Sequence, residues 1–191
     1  MRAPRLPFAA LLLATELIPA GVAAQPVRYE LVQAQSRVWF DASATMGRFQ
    51  GETQQVSGWA DVPDTVTFAG TRGEVNVGAA SFRTGIALRN QHLRNELEAD
   101  RHPFVRFVLE GAAPGDAAGT LVLRGRLMVK DRATPVTIPA RVTRADGMVV
   151  LEGELPTKFT ELGMRPPTRM GGLTRVRDDI VIHFRASFRR K

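Results

Sequence analysis

The sequence predicts an all-β fold, an antiparallel barrel or sandwich of about eight to ten strands with one short helix. Three observations predict it. Apolar and polar residues alternate with a period of two in segment after segment, which gives each strand one apolar and one wet face. Turn residues separate these segments at the spacing of a barrel or sandwich. The 191 residues are 44% apolar and 24% charged, which is the composition of one globular domain.

The first 24 residues are predicted to be a secretory signal. Arg2 and Arg5 form a basic start, an apolar stretch follows over residues 6–18, and small residues lead up to Ala24. This order is typical of a signal that is cleaved after Ala24. The alternative, an anchoring helix, needs a longer apolar run without a glutamate. We therefore expect localisation in the periplasm and a mature domain of residues 25–191.

The alternating segments after the signal predict antiparallel pairing. Parallel strands that are buried on both faces read as continuous apolar runs, and these segments do not. The apolar positions, in chain order, are Val38, Phe40 and Ala42; Val105, Phe107 and Leu109; Leu121, Leu123, Leu127 and Val129; Val136, Ile138, Ala140 and Val142; and Ile180, Ile182, Phe184, Ala186 and Phe188.

Turn residues lie between the alternating segments. The predicted turns are Pro63-Asp64, Gly70-Thr71, Gly111 to Gly115, Asp131 to Thr134, and Asp146-Gly147. The pair Asp146-Gly147 separates two short apolar segments and predicts a tight hairpin, because both residues tolerate a positive φ.

One segment departs from the strand pattern. Leu93 and Leu97 are four residues apart and Ile86 lies one further helical repeat upstream, which predicts one apolar helix face. Asn90 is the expected N-cap, since its side chain can accept from a free amide of the first turn. We therefore predict a short helix near residues 91–98.

Several classes of chemistry are disfavoured by the sequence. Cysteine is absent, which excludes disulfides, thiolate metal sites and cysteine nucleophiles. The histidines His92, His102 and His183 lack the spacing that aims two imidazoles at one metal, and no nucleophile elbow, P-loop or dinucleotide fingerprint follows a strand. The net charge is +7, but the strand arginines alternate with apolar residues and so predict a solvated outer face. We expect no catalytic residue, metal, cofactor or nucleic-acid partner.

Several stretches resemble the YceI-like family of periplasmic lipocalin-like proteins. The clearest is GTLVLRGRLMVKDRATPVTI, residues 119–138, which is similar to the family's strand, short turn and T-x-P-V-T strand. Residues 89–93, RNQHL, lead to His102-Pro103 and are similar to the family's R-D-x-H-L helix, with Asn90 in place of the usual aspartate. The family's opening and final strands are resembled by residues 29–31, 36–40, 47–49 and 178–182.

The resemblance implies a lipocalin-like antiparallel β-barrel of about eight strands with one short helix. It also implies a non-catalytic periplasmic binding protein whose ligand, held in the barrel interior, is a polyisoprenoid or another long-chain amphiphile such as a fatty-acid-like lipid. The expected partner is therefore a lipid, and peripheral contact with a membrane and a homodimer stay open.

Two groups of residues are candidates for the ligand site. We expect the pocket lining to include Phe40, Phe107, Leu127, Phe184 and Met164, and the alternative is that they are packed core. The family's helix motif places Arg89 and His92 one turn apart on one face, where they would meet a polar head group. Arg169 and Arg175, in the predicted loop 163–177, would add charge there, and the alternative is a solvated linker.

Two other functions stay open. An eight-stranded barrel is just wide enough for packed side chains or for one small ligand. A filled barrel would favour a stress-related extracytoplasmic interaction protein. A hydrolase or isomerase that uses His92 would require this histidine to lie in a cleft.

Overall fold

The computed structural model describes residues 25–45, 47–166, 168–169 and 174–191, with backbone alone at residues 168, 169 and 174. The predicted signal, residues 1–24, lies outside the described residues, and so do residues 167 and 170–173 of the predicted loop. Within the described ranges, no helix is long and apolar enough to cross a membrane.

Most of the described chain is β-strand. The strands are β1 (Val27–Leu31), β2 (Arg37–Ala44), β3 (Gly47–Thr53), β4 (Val56–Val62), β5 (Arg72–Gly78), β6 (Phe104–Pro114), β7 (Thr120–Val129), β8 (Arg132–Ala145), β9 (Met148–Lys158), β10 (Thr168–Arg169) and β11 (Thr174–Arg190). The described helices are α1 (Ala87–Glu96) and two 3₁₀ turns, Gln33–Gln35 and Ala79–Ser81.

The strands close into an eight-position antiparallel barrel. Strands β4 to β9 follow one another around the ring, and β9 pairs with β11. The other edge of β11 pairs first with β2 and then with β1, so these two strands share one position. Strands β3 and β4, which pair with β2 and β1, share the next position. The predicted lipocalin-like barrel with one α-helix is confirmed.

The predicted strand faces also agree with the structure. Phe40 and Ala42 on β2 are buried while Arg37 and Asp41 are exposed, and Leu121, Leu123, Leu127 and Val129 on β7 are all buried. The inward side chains form two apolar clusters, one beside α1 and one at the opposite end of the barrel, and Phe107 and Leu155 pack against both. The interior is therefore one apolar column.

Most of the predicted turns agree with the structure, and two differ in position or length. Asp146 and Gly147 have φ values of 51° and 73° and join the paired residues Ala145 and Met148, as expected for the tight hairpin. The turn predicted at 111–115 lies later, because β6 continues to Pro114 through a register shift after Leu109. This bulge holds Gly111 within the strand. The turn predicted at 131–134 is shorter, since β8 begins at Arg132.

The predicted helix exists but begins earlier and is capped differently. It covers Ala87–Glu96, and Asn90 lies inside it, so the predicted N-cap is wrong. Strong helix formers at residues 87–89 extend the first turn without a side-chain cap. Leu97 is buried as predicted, but Ile86 is 50% exposed and does not belong to the apolar face.

The predicted long loop 163–177 is also shorter than expected. Strand β10 pairs with the start of β11, with Thr168 opposite Arg175, and β11 begins at Thr174. Backbone pairing requires no alternation of side chains, so periodicity gave no sign of it.

Candidate ligand-binding site

A cavity of about 200 Å³ lies inside the barrel. Residues of nine strands form its wall together with residues from α1, from its C-cap and from three connections, and nearly all of them are apolar. An apolar cavity of this size stays dry and accepts apolar guests. All five residues predicted to line a pocket, which are Phe40, Phe107, Leu127, Phe184 and Met164, lie in this wall. Their contact with a ligand stays a prediction.

Glycines on neighbouring strands hold three of the aromatic rings against the wall. A Cβ on Gly51 would stand 2.5 Å from Cζ of Phe40, which is its cross-strand partner. A Cβ on Gly125 would lie 3.0 Å from the ring of Phe107. Because each ring edge occupies the space of a missing side chain, the ring stays close to the backbone and the lumen stays open.

The ring of Phe184 also occupies the space that a side chain would take at a glycine on the neighbouring strand. Phe184 on β11 is paired with Gly153 on β9, and a Cβ there would lie 2.9 Å from the ring. The three pairs join three different parts of the barrel. The cavity therefore results from the glycines as much as from the apolar residues that line it.

Apolar side chains close the helix end of the cavity. Leu93 of α1 and Leu97, the C-cap of α1, lie in the wall together with three residues from the connection after β9, which are Phe159, Leu162 and Met164. Leu162 is only 2% exposed, which makes this connection part of the core rather than a surface loop. Phe159 and Leu162 could not be recognised from the sequence pattern, because a tight turn has no hydrophobic period.

Hydrogen bonds fix this connection at both of its sides. Glu96 of α1 accepts through Oε1 from the Arg165 N–H at 2.8 Å. Asp178 of β11 accepts from the Thr160 N–H at 3.0 Å and from the Thr160 hydroxyl at 2.6 Å. These bonds lower the pKa of the Asp178 carboxyl below its ordinary value. The closure is therefore tied to α1 and to the barrel.

Of the residues predicted to bind a head group, Arg89, His92 and Arg175 do not lie in the cavity wall, and the side chain of Arg169 lies outside the described part of the structure. The Arg89 guanidinium stacks on the Phe49 ring at 4.3 Å, and His92 is half-buried on α1 outside the wall. Arg175 exchanges two hydrogen bonds with Thr45, at 3.0 Å between the Thr45 N–H and the Arg175 carbonyl and 3.2 Å between the Arg175 N–H and Thr45 Oγ1. The backbone of Arg169, in β10, pairs with Thr174 of β11. Their role at a head group stays a prediction.

Asn90 has a structural partner in place of the expected cap. Its Oδ1 accepts from the Thr84 N–H at 2.8 Å and from the Thr84 hydroxyl at 2.7 Å. The side chain therefore fixes the segment before α1 rather than the first turn of the helix.

The connection between β4 and β5 covers the opposite end of the barrel. Its Phe68 is buried in the cavity wall, with a φ of 59° that non-glycine residues seldom adopt. Arg144 of β8 holds it, with the guanidinium 4.7 Å from the ring and a hydrogen bond to the Thr65 carbonyl. Asp64 starts the connection, and hydrogen bonds from the Thr67 hydroxyl and from the Val66 and Thr67 amides lower its pKa.

The remaining histidines lie near carboxylates. His183 Nε2 lies 3.0 Å from Asp41 Oδ2, and the imidazole stacks on Trp39 with ring centroids 5.2 Å apart. His102 Nε2 lies 3.7 Å from Asp131 Oδ2. In the part of the chain that the structure describes, no three histidine or acidic side chains converge as a metal site would require.

Comparison with known proteins identifies one family. The YceI-like domain family matches residues 29–188. No curated protein matches the chain.

Solved structures show the same fold at low sequence identity. BcnA of Burkholderia cenocepacia has a TM-score of 0.73 at 21% identity, covering 82% of this chain and 98% of that one. A polyisoprenoid binding domain from Saccharophagus degradans, implicated in plant cell wall breakdown, has a TM-score of 0.66 at 15% identity, covering 86% and 99%. The YceI protein of Campylobacter jejuni has a TM-score of 0.60 at 16% identity, covering 74% and 84%.

Proposed function

The chain belongs to the YceI-like family, and on that premise we propose that it is a non-catalytic periplasmic binding protein for a long-chain amphiphile. The chain of this amphiphile, a polyisoprenoid or a fatty-acid-like lipid, lies in the barrel. The observation that carries the proposal is the apolar cavity inside the barrel. The structural neighbour described as a polyisoprenoid binding domain supports an isoprenoid chain as the ligand.

The energetics favour a long chain over a small metabolite. Each buried CH₂ contributes about 0.8 kcal/mol, whereas association costs about 4–15 kcal/mol in lost freedom. A ligand with few carbons cannot offset that cost in a lining that is nearly all apolar. A preformed cavity lowers the cost for a long chain, because the protein needs little reordering.

The cavity also weighs against the two alternatives. A barrel filled by its own side chains, as in a purely surface-acting interaction protein, would leave no such space. An enzyme that uses His92 would need this imidazole beside its substrate, and His92 lies outside the cavity wall.

The test is mass spectrometry of organic extracts from protein that is purified out of its native envelope. We expect one class of long-chain lipid in stoichiometric amount from the wild type. Leu127→Asp places a carboxylate in the lining, where an unpaired charge is costly, and its extract should lack the lipid. Arg124→Asp, the same new side chain on the exposed face of β7, is the control and should retain it. Lipid-free wild-type protein, or a folded Leu127→Asp variant that keeps its lipid, contradicts the proposal.

Export is part of the same proposal. The basic start, apolar stretch and small residues before Gln25 support cleavage after Ala24. Intact-mass measurement of envelope protein should give a chain that begins at Gln25. A mass that still includes residues 1–24 contradicts export by a cleaved signal.

A further inference from the structure

Two inward-facing rows of the barrel end in arginine. On β8, the buried or half-buried row of Val136, Ile138, Ala140 and Val142 continues to Arg144, and on β11 the row of Ile182, Phe184, Ala186 and Phe188 continues to Arg190. Successive inward positions on a strand are two residues apart, so both arginines occupy the inward parity one step beyond the last apolar residue. Both strands end at the same mouth of the barrel, opposite α1.

The cross-strand partners of these arginines lie in the cavity wall. Arg144 is paired with Val149 on β9, and Arg190 is paired with Tyr29 on β1. Paired side chains stand on the same face of a sheet. Each arginine is therefore next to a residue that the cavity also touches.

A surface concavity joins the two arginines. Arg144 and Arg190 line it together with the β8–β9 turn, and Tyr29 and Val149 belong to its wall as well as to the wall of the cavity. Asp146 is the acidic residue of this lining, so the concavity has two guanidinium groups and one carboxylate. Its net positive charge begins where the apolar lining ends.

The helix end of the cavity has the opposite character. There the closing side chains are apolar, and the carboxylate of Asp178, two residues before the buried Ile180 of β11, is bonded to Thr160. Among the described residues, the cavity wall at that end includes no guanidinium group. The two ends therefore differ in lining: apolar side chains close the helix end, and two arginines line the concavity at the other.

We propose that the concavity lined by Arg144, Arg190 and Tyr29 binds the anionic head group, a phosphate or a carboxylate, of the amphiphile whose chain lies in the barrel. This inference rests on the proposed function and names the ligand class more closely. Guanidinium groups match the oxygens of a phosphate or carboxylate in geometry as well as in charge. The proposal places the head group at the mouth opposite α1 rather than at the helix end, where Arg89 and His92 were expected to bind it.

The two arginines differ as probes. Arg144 also supports the β4–β5 connection through Phe68 and the Thr65 carbonyl, so its loss would change the closure of this end. Among the described residues, Arg190 makes no side-chain hydrogen bond or ion pair. Arg190→Gln is therefore the cleaner variant, and Arg144→Gln is a second one whose melting temperature is recorded alongside.

The experiment compares farnesyl phosphate with farnesol, which share one isoprenoid chain, on delipidated mature protein. We expect wild type to bind the phosphate more tightly than the alcohol, with an advantage that decreases as salt increases. Arg190→Gln should weaken binding of the phosphate about tenfold to a hundredfold and leave binding of farnesol unchanged. Arg89→Ala, at the helix end, should leave both unchanged. Inorganic phosphate alone is the third probe and should compete weakly, because it lacks the chain.

Each outcome gives a definite result. Equal binding of the two prenyl ligands by wild type, or an unchanged phosphate affinity in Arg190→Gln, overturns the head-group site but leaves the chain-binding function intact. Loss of the phosphate preference in Arg89→Ala but not in Arg190→Gln returns the head group to the helix end. Binding of inorganic phosphate as tightly as farnesyl phosphate shows an anion site that is independent of the lipid. Binding of neither prenyl ligand overturns both the proposed function and this inference.

Discussion

Three phenylalanine rings depend for their position on glycines of the neighbouring strands. Phe40, Phe107 and Phe184 each have a ring edge where a neighbouring glycine would otherwise carry a Cβ. Alternation of apolar residues predicted that these rings face inward. It could not predict that they lie against the wall, because this depends on the cross-strand register, which a single sequence does not reveal.

Gly51→Ala tests whether the missing side chain at Gly51 keeps the Phe40 ring against the barrel wall. At Gly51 the contacts of a new Cβ are with side chains, namely the Phe40 ring and Cγ2 of Thr84, so the ring must move into the cavity. We expect weaker binding of a long-chain lipid and a loss of stability of about 1–3 kcal/mol from overpacking. Lipid titration and thermal unfolding measure the two effects.

Two further variants control this experiment. Gly111→Ala adds the same methyl group in β6, where a Cβ meets nothing within 4 Å, and it should bind lipid like the wild type. Adding Phe40→Leu to Gly51→Ala should restore binding, because the smaller side chain makes room for the new methyl. If Gly51→Ala and Gly111→Ala bind lipid equally well, the glycine does not set the width of the lumen.

The elements differ in how far the sequence determines them. Long strands such as β7 and β11 follow from alternation, since one face is buried along their whole length. The ends of the barrel do not follow from it. Phe68 closes one end from a backbone conformation that propensity disfavours, and Leu162 closes the other from a tight turn. The start of α1 also differed from prediction, because helix formers rather than a capping side chain determine it.

At the scale of elements, the closure after β9 should depend on pH through Asp178. Hydrogen bonds from Thr160 lower the pKa of this carboxyl in the folded state. A lowered folded pKa gives stability that is present above the unfolded value of about 3.9 and is lost as pH falls through the folded value. We therefore expect Asp178→Asn to lower the melting temperature at neutral pH and to have little effect well below pH 4.

The neighbouring carboxyl provides the control. Asp179 is exposed and, in the described part of the chain, makes no side-chain hydrogen bond, so Asp179→Asn should leave the melting temperature nearly unchanged at neutral pH. A destabilisation by Asp178→Asn that is equally large at acidic and neutral pH would show that its cause is packing rather than charge.

At the scale of the whole molecule, the barrel is an apolar column with two unlike ends. One end is closed by α1 and the connection after β9, and the other has two arginines beside a phenylalanine in the cavity wall. The alternation predicted the apolar interior of the barrel, and the five candidate pocket residues lie in the cavity wall, where their contact with a ligand stays a prediction. It did not predict the arginine-lined concavity at one mouth, although the alternation on β8 and β11, continued by one step, reaches Arg144 and Arg190. The apolar positions on both strands end before these arginines, so the periodicity of apolar residues alone does not include them.

The most direct test of lipid binding inside the barrel is a crystal structure of the protein purified from its own envelope without removal of lipid. We expect continuous, elongated electron density for one chain inside the barrel, in contact with Phe40, Phe107 and Phe184. An interior filled by protein side chains, or lipid found only on the outer surface of the barrel, would contradict the claim that this barrel holds a long-chain amphiphile.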